Sequence, residues 1–344
     1  MYEYDKRVVL TLDAGGTNFV FSAIQGNNEM ISPIGLPAVS DNLDECLEVL
    51  VKGFDRVIAA IPVPPVAISF AFPGPADYEN GIIGDLPNFP SFRGGVALGP
   101  FLKHKYGIPV FIENDGNLFA YGEALSGALP MINRELSLAG CSREYKNLIG
   151  ITLGTGFGAG VVINKVLLTG DNGCGGDIWL MRNKKYPDML AEESVSIRAV
   201  RRVYSDLSGQ SSASLSPKDI YDIAEGIKEG DSHAAIASFN ELGIMAGAAI
   251  ASVLNVVDGL VVIGGGVAGA SKYILPALIT ELRAQLTTFS GNKFPCVSMQ
   301  VYNGEDESER ARFLSLSDSQ VVIPGTHLTT TCLLYTSDAA DDKA

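Results

Sequence analysis

Short apolar runs alternate with turn residues in the first third of the chain, and they predict strands. The run at 8–12 ends in an Asp-Ala-Gly-Gly-Thr-Asn segment, and a second apolar run follows at 19–24. Glycine pairs between two such runs are typical of tight hairpin turns. Further apolar runs at 66–72 and 110–112 each end in a polar or glycine-rich segment. We therefore predict a β-hairpin followed by two more strands.

The same pattern returns near the middle of the chain. Residues 148–163 repeat the order found at 8–24, in which an apolar run, a glycine-rich stretch and a second apolar run follow one another. We interpret the stretch at 154–160 as a turn. A later apolar run at 260–263 leads into a third glycine-rich turn at 264–269. These similarities indicate a weak internal repeat of two related halves.

Helical spacing of apolar residues accounts for much of the remaining chain. In the stretch at 41–60, leucine, valine and phenylalanine recur every three or four residues, and Asp41 is a candidate N-cap. Strands that alternate with helices are typical of α/β folds. Further helices are predicted at 118–125, 192–204, 216–229, 232–257 and 272–289.

Composition limits the classes of protein to which the chain can belong. The 344 residues are 47% hydrophobic, which suffices for a large core and suggests two domains or lobes. The formal net charge of −14 repels phosphate backbones, so we expect no nucleic-acid partner. The five cysteines are scattered without a C-x-x-C pair, so a reducing cytoplasm fits best. Neither a signal-peptide segment nor an apolar run of about 18 residues occurs, so we expect no membrane association.

Glycine-rich turns follow apolar strands at three places, 13–18, 154–160 and 264–269. Glycine lets the backbone approach phosphate closely, and successive amide groups form anion-binding nests. Thr17 and Thr155 add hydroxyl donors to two of these turns. The three turns together predict a site for phosphate groups, and a carboxylate beside phosphates, such as that of Asp13, suits Mg²⁺.

Two other nucleotide-binding patterns are disfavoured. The third turn satisfies G-x-G-x-x-G, but a dinucleotide site also needs an acidic residue at the end of a second strand about 20 residues further on. Here that region is predicted to be helical and contains Glu281. No Walker A sequence is present. We therefore disfavour both a dehydrogenase and a P-loop enzyme.

The pair Asn114 and Asp115 directly follows the strand at 110–112 and allows two interpretations. Asn and Asp are preferred N-caps, and a helix is predicted just downstream. A carboxylate at the carboxyl end of a strand in an open α/β sheet can instead take a proton from a substrate hydroxyl. Alone, the pair favours the cap, but the three glycine-rich turns shift the balance towards a catalytic base. The two roles are compatible, because a strand-to-helix turn would hold the carboxylate in place.

Several motifs together resemble the ROK family of sugar kinases, within the actin-like ATPase superfamily. They occur in the family's order over residues 8–326. The matching stretches are D-A-G-G-T-N at 13–18 for the first phosphate loop, F-P-G-P at 72–75 and P-N-F-P at 87–90 for the sugar-side loops, E-N-D-G-N at 113–117 for the E-N-D-A-N catalytic motif, residues 153–160 for the second phosphate loop and residues 263–269 for the adenosine loop.

The resemblance implies a fold and a reaction. The implied fold is α/β, the two-lobed actin-like ATPase (ribonuclease H-like) fold, in which mixed sheets with flanking helices border an interlobe cleft. The N-terminal lobe would span 1–115 and the C-terminal lobe 116–326. The implied reaction transfers the γ-phosphoryl group of ATP, bound with Mg²⁺, to a hexose hydroxyl. Such a reaction depends on positioning and charge stabilisation more than on covalent chemistry.

The resemblance also implies a role for each site residue. Asp115 would be the general base, and Asp13 would act on Mg²⁺ through water. The partners would be a small sugar and a nucleotide, and because family members are often dimers, a homodimer stays open. Sugar contacts would come from Gly74, Asn88, Asn114, Asp177 and Glu192. ATP contacts would come from Gly15, Gly16, Thr17, Asn18, Gly154, Thr155, Gly156, Gly265 and Gly266.

The chain departs from the family where sugar and zinc are usually bound. Members carry a Glu-x-Gly-His segment followed by a cysteine cluster, whereas the aligned stretch here is G-G-D-I-W-L at 175–180. Asp177 replaces the Glu, while Trp179 and Leu180 replace Gly-His. Because only Cys174 lies nearby and a four-ligand site needs several Cys or His, we predict no structural zinc. We interpret Trp179 as a core residue, although it could also stack on a sugar.

Some acidic and histidine positions have simpler explanations. Glu192 matches the family's sugar-binding Glu, Glu193 matches nearly as well, and a solvated helix start with acidic residues is the alternative for both. The three histidines match no family position and are predicted to be surface residues. They are His104, His233 and His327.

The end of the chain does not continue the pattern of strands and helices. Residues 327–344 have no amphipathic period and resemble translated sequencing-adaptor read-through, with a disordered native tail as the alternative. The Gly/Ala-rich helix that usually closes the family is not recognisable, so if the tail is read-through, we expect the chain to be a truncated kinase. An uncovered apolar groove would then lower stability or expose a sticky patch.

Two non-enzymatic functions compete with the kinase. A ROK-type repressor needs an N-terminal helix-turn-helix domain, but only 12 residues precede Asp13 and the chain is acidic. We therefore disfavour it. A catalytically silent sugar-binding or regulatory protein without a DNA-binding domain is the stronger alternative, because the Gly-His pair is lost.

Overall fold

The computed structural model describes residues 2–15, 17–85, 90–316 and 319–332, which fold into two compact units. The first unit contains the chain up to Ser126 together with Thr169–Gly175. The second contains Gly127–Leu168 and the chain from Gly176 onward. Each unit combines a mixed sheet with helices, which confirms the predicted α/β class.

The first unit is built around a sheet of six strands in the order β3-β2-β1-β5-β8, with β4 also paired to β2. Strand β1 is antiparallel to β2 and parallel to β5, and β5 is parallel to β8, so the predicted hairpin and the two later strands are confirmed. The elements are β1 Val9–Ala14, β2 Asn18–Gln25, β3 Asn28–Glu29, β4 Ile34–Pro37, α1 Leu43–Ala60, β5 Ala67–Ala71, β6 Ala76–Asp77, β7 Ile82–Ile83, α2 Leu98–Tyr106, β8 Val110–Glu113 and α3 Asp115–Leu125.

Helix α1 covers this sheet with an apolar stripe. Leu50 and Phe54 lie one turn apart on its buried face, and the Phe54 ring meets the Phe21 ring edge-on at 5.2 Å. The predicted N-cap, Asp41, is wrong. Asn42 caps the helix, because it is the extended residue directly before Leu43 and its side chain accepts a hydrogen bond from the Glu45 N–H at 3.2 Å.

The second unit repeats part of this topology. Its sheet has the order β11-β10-β9-β12, with β9 antiparallel to β10 and parallel to β12, as β1 is to β2 and β5. The predicted internal repeat is therefore confirmed. The elements are α4 Ala128–Leu138, β9 Leu148–Leu153, β10 Phe157–Ile163, β11 Val166–Leu167, α5 Ile197–Ser208, α6 Pro217–Ala224, α7 Ser232–Val257, β12 Leu260–Gly264, α8 Ser271–Leu282, β13 Gln285–Thr287, β14 Lys293–Pro295, α9 Glu307–Leu314, β15 Ser319–Val322 and β16 Thr329–Cys332.

The turn predicted at 154–160 is shorter in the structure. Strand β10 begins at Phe157, so Gly160 lies inside a strand. The chain at Gly176, which has φ +93°, packs against this strand, and a Cβ atom there would lie 3.1 Å from the Ala159 carbonyl oxygen. Glycine inside a strand commonly marks such a close backbone approach.

Two predicted helices are interrupted or shortened. The helix at 192–204 is instead a short 3₁₀ helix, Ala191–Glu193, followed by α5, because Ser196 caps α5 by accepting the Ala199 N–H at 3.3 Å. The helix at 216–229 ends at Ala224, and Gly226 follows with φ +72°, a conformation that ends helices.

The last predicted helix and the tail also differ from expectation. The helix at 272–289 ends at Leu282, and β13 then forms a hairpin with β14, because a β-favouring Leu-Thr-Thr run meets a turn at Gly291 with φ +89°. Within the predicted tail, β16 pairs with β15. Residues 333–344 lie outside the described residues.

Helix α7 matches its predicted span of 232–257 and forms the centre of the second core. It is long and apolar enough to cross a membrane by length and composition alone, but 56% of its most apolar window is buried inside the protein. A core helix passes the same test, and packing against α5 and α8 accounts for its apolar character.

We expect Gly243→Ala to destabilise the α7–α8 contact. A Cβ atom at Gly243 would lie 2.4 Å from the Ile274 carbonyl oxygen, so the helices would have to separate. Overpacking of this kind costs about 1–3 kcal/mol. Urea unfolding followed by circular dichroism measures the loss. Gly122→Ala in α3, where a Cβ atom meets nothing within 4 Å, is the control and should raise stability by about 0.5 kcal/mol. Equal effects of the two substitutions would contradict the close packing.

Candidate active site

Three polar segments leave the first sheet at one edge. Strands β1, β5 and β8 are parallel neighbours, and Asp13 pairs in register with Ala71 in β5, which pairs with Glu113 in β8. The segments that follow these positions therefore emerge together at the carboxyl edge. The sheet brings Asp13, the loop that contains Gly74, and the Asn114–Asp115 turn to the same edge, where open α/β sheets bind ligands.

The turn between β8 and α3 separates the two roles that the sequence left open. Asn114 is the N-cap, and its Oδ1 accepts the Gly116 N–H at 2.9 Å and the Asn117 N–H at 3.4 Å. Asp115 is the first helical residue, is exposed, and accepts the Gly116 N–H at 2.9 Å through Oδ1. The cap is therefore Asn114, and the neighbouring carboxylate faces solvent from a fixed position.

Two residues of the E-N-D-G-N motif to which the sequence assigned no role support this turn from within. Glu113 Oε1 accepts both the Asn114 N–H at 2.9 Å and the Asn117 side-chain amide at 3.1 Å. Asn117 is only 6% exposed, and its Oδ1 has no hydrogen-bond partner among the described residues. In the sequence, the spacing of four residues between Glu113 and Asn117 was the signal that could have indicated their hydrogen bond.

The first glycine turn joins β1 to β2. A Cβ atom on Gly15 would lie 2.9 Å from the Asn18 carbonyl oxygen, so the turn is tight. Thr17 and Asn18 are exposed, and the Thr17 carbonyl accepts the Ala38 N–H at 3.0 Å. Two predicted site residues, Gly16 and Asn88, lie outside the described residues.

The loop after β5 is anchored by a tyrosine. The Tyr78 hydroxyl donates to the Phe72 carbonyl at 2.9 Å, and a Cβ atom on Gly74 would lie 3.0 Å from that hydroxyl oxygen. A larger residue at Gly74 would thus disturb the anchor.

In the second unit, two glycine turns meet at the carboxyl ends of β9 and β12. Gly265 has φ +90°, and a Cβ atom there would lie 2.4 Å from the Leu153 carbonyl oxygen, while the Val267 N–H donates to the same carbonyl at 3.0 Å. Added Cβ atoms on Gly154 and Gly266 would meet nothing within 4 Å. Packing therefore requires glycine at position 265, whereas Gly154 and Gly266 face open space.

Glu192 contacts the second glycine turn directly. Its Oε2 accepts the Phe157 N–H at 3.0 Å and would lie 2.5 Å from a Cβ atom on Gly156. Arg198 donates to Glu192 Oε1 at 3.1 Å and to Glu193 Oε1 at 3.0 Å. Hydrogen bonds to Glu192 and then Glu193 raise the pKa of Arg198 above its ordinary value. The sequence did not indicate a role for Arg198, because no local pattern of residues pairs it with the glycine turn.

The segment that departs from the family lies beside β10. Asp177 is exposed at the start of a 3₁₀ helix, Ile178–Leu180, and its side chain makes no capping hydrogen bond there. Trp179 is partly buried and packs against the core of the second unit, in line with its interpretation as a core residue. Leu180 is 52% exposed.

Side chains of the types that bind metal ions are dispersed over the described residues. In the described ranges, no group of three or more His, Cys, Asp or Glu residues could hold a metal ion, and the absence of zinc stays a prediction. The histidines are exposed, as predicted. They are His104, His233 and His327.

Several known proteins are similar to this chain. A crystal structure of a glucokinase from Parabacteroides distasonis is 59% identical, with a TM-score of 0.87 over 96% of this chain and 91% of that one. A glucokinase of Thermotoga maritima is 26% identical over 79% of this chain and 86% of its own length. A xylose repressor of Bacillus subtilis is 24% identical over 72% of this chain and 61% of its own length.

The family assignment rests on the sequence over most of its length. The fold is that of the actin-like ATPases, as in the solved sugar kinases that it resembles. The model of the ROK family matches residues 9–308, and the chain therefore belongs to the ROK family.

Proposed function

We propose that this ROK family sugar kinase transfers the γ-phosphoryl group of ATP to a hydroxyl group of a hexose, with Asp115 as general base. The observation that carries the proposal is the exposed Asp115 carboxylate at the sheet edge it shares with Asp13. A fixed carboxylate within reach of a sugar hydroxyl can take the hydroxyl proton as the hydroxyl oxygen attacks the γ-phosphorus.

The hydrogen bonds of the turn assign complementary roles to its two polar side chains. Because Asn114 Oδ1 is engaged in capping α3, the Asn114 amide nitrogen is the atom available to donate to a sugar oxygen. The Asp115 carboxylate is an acceptor and would orient the attacking hydroxyl before it takes the proton. The remaining sugar contacts that we propose come from Gly74, Asn88, Asp177 and Glu192.

The glycine turns are proposed to hold the nucleotide. The open space at Gly154 and Gly266 suits close approach of phosphate to backbone N–H groups, and exposed Thr155 adds a hydroxyl donor. Further contacts are proposed from Gly15, Gly16, Thr17, Asn18, Gly156 and Gly265.

The acidic residue of the first turn fits a divalent cation. Asp13 is exposed and lies near the end of a strand, and Mg²⁺ commonly uses few carboxylates together with water and substrate phosphates. Bound Mg²⁺ neutralises charge on the phosphates of the nucleotide. Asp13 would orient the water ligands that complete such a site.

Glucose is the sugar we propose first, because the glucokinase from Parabacteroides distasonis is 59% identical to this chain. An N-acetylhexosamine is the alternative, since Asp177, Trp179 and Leu180 alter the segment that contacts sugar in the family. We also propose a cytoplasmic location, in line with free thiols at Cys46, Cys141, Cys174 and Cys296.

The reaction is tested by a coupled assay of ADP release over a panel of glucose, mannose, N-acetylglucosamine and N-acetylmannosamine. We expect ADP release that needs Mg²⁺ and is fastest with glucose. Fastest turnover of an N-acetylhexosamine would reassign the sugar. Sugar binding without sugar-dependent ADP release would contradict the kinase and favour the silent sugar-binding alternative.

A further inference from the structure

The second glycine turn is supported by a segment remote from it in sequence. Within the turn, the Gly154 N–H donates to the Gly156 carbonyl at 3.1 Å. The Ile197 N–H donates to the Gly154 carbonyl at 2.9 Å, and Glu192 Oε2 accepts the Phe157 N–H at 3.0 Å. Both ends of the turn are thus held by residues 192–197.

The Glu192 carboxylate that holds the turn also carries a charge. It lies over Gly156, where a Cβ atom would approach Oε2 to 2.5 Å. An unpaired carboxylate at this distance from a phosphate-binding turn would repel phosphate. Arg198 offsets that charge by binding Glu192 Oε1 at 3.1 Å, and Glu193 holds the same guanidinium at 3.0 Å.

We propose that Glu192 and Arg198 position the second glycine turn for the nucleotide, with Arg198 acting through Glu192. The inference rests on the proposed function, because it assigns nucleotide to that turn. It gives Glu192 a task on the nucleotide side that differs from the sugar contact implied by the family. Arg198 is a positioning residue that touches neither substrate.

The direct test is isothermal titration of Mg-ADP into the full chain without sugar. We expect Arg198→Met to weaken ADP binding about tenfold, because it leaves the carboxylate uncompensated and free to move away from the turn. In steady state the KM for ATP should rise by about the same factor.

Arg202→Met is the matched control, because Arg202 lies one turn further along α5. Its ion pairs are with Asp206 at 3.6 Å and Glu241 at 3.5 Å, so it does not reach the glycine turn through Glu192. Its ADP affinity should stay within about twofold of the wild type. Wild-type ADP affinity in Arg198→Met, or equal losses in both variants, would overturn the inference.

A double-mutant cycle separates support of the turn from simple obstruction of the ligand. Gly156→Ala should displace the Glu192 carboxylate, since the nearest atom to the new Cβ is the far end of that flexible side chain. We expect Gly156→Ala to weaken ADP binding in the wild type but to add little in Glu192→Ala, which has no side-chain oxygen over the turn to displace. Additive losses would mean that the added methyl group only obstructs ADP, and would contradict the inference. No ADP binding by the wild type would contradict the proposed function instead.

Discussion

Replacement of Asp115 by Asn is expected to lower kcat by about 10²–10⁴, the range for loss of a general base. The side chain keeps its shape and an oxygen for the Gly116 N–H, but it can no longer take a proton from the sugar. Sugar affinity, measured by calorimetry, should stay within a few-fold of the wild type, because Asn114 and the capped turn are unchanged. Wild-type turnover would contradict the role of Asp115.

Asp44→Asn is the matched control for this substitution. Asp44 is also an exposed acid in the first turn of a helix, α1, and it belongs to none of the motifs of the site. Both substitutions remove a favourable interaction with the helix dipole, worth about 0.3–1 kcal/mol. Only Asp115→Asn should lose turnover, so a comparable loss in Asp44→Asn would point to a general effect of stability.

The second large effect is expected at Gly265. Gly265→Ala places a Cβ atom 2.4 Å from the Leu153 carbonyl oxygen at φ +90°, where both contact and backbone conformation are unfavourable. We expect the free energy of unfolding to fall by about 2–4 kcal/mol, since strain and overpacking each cost about 1–3 kcal/mol. Urea unfolding measures this loss, and ADP affinity should fall with it because the turn must move away from β9.

Gly266→Ala provides the contrast at the next residue. Its Cβ atom would meet nothing within 4 Å, so stability should change by less than about 0.5 kcal/mol. ADP affinity should nevertheless fall about tenfold or more, because the methyl group occupies the space proposed for phosphate. Unchanged ADP binding in Gly266→Ala would remove this turn from the nucleotide site.

Local patterns were sufficient to predict the strands and the turns that bear the candidate site. The runs at 8–12 and 110–112 are almost wholly apolar and end in polar residues, so their type and their carboxyl ends could be read directly. The Asn114–Asp115 turn was predicted for the same reason, since a cap and its helix are adjacent in sequence. Which of the two residues caps the helix needed the structure, which shows that the cap is Asn114.

Interactions between distant segments could not be predicted in this way. Glu192 binds the backbone of Phe157, 35 residues earlier, and no local spacing encodes that contact. The helix predicted at 192–204 runs through Ser196, although serine is favoured at N-caps over helix interiors, and Ser196 caps α5 by accepting the Ala199 N–H. The predicted helix at 272–289 runs into strand β13, because the apolar residues of this strand are too few to define a period.

The most direct test of a general base at the edge of the first sheet is product analysis by ³¹P nuclear magnetic resonance. Wild-type protein and Asp115→Asn would each be incubated with glucose, ATP and Mg²⁺, and hexose phosphate would be quantified against ADP. We predict one hexose phosphate per ADP with the wild type, and a rate of formation lower by about 10²–10⁴ with Asp115→Asn. Equal rates of hexose phosphate formation by the two proteins would contradict the account.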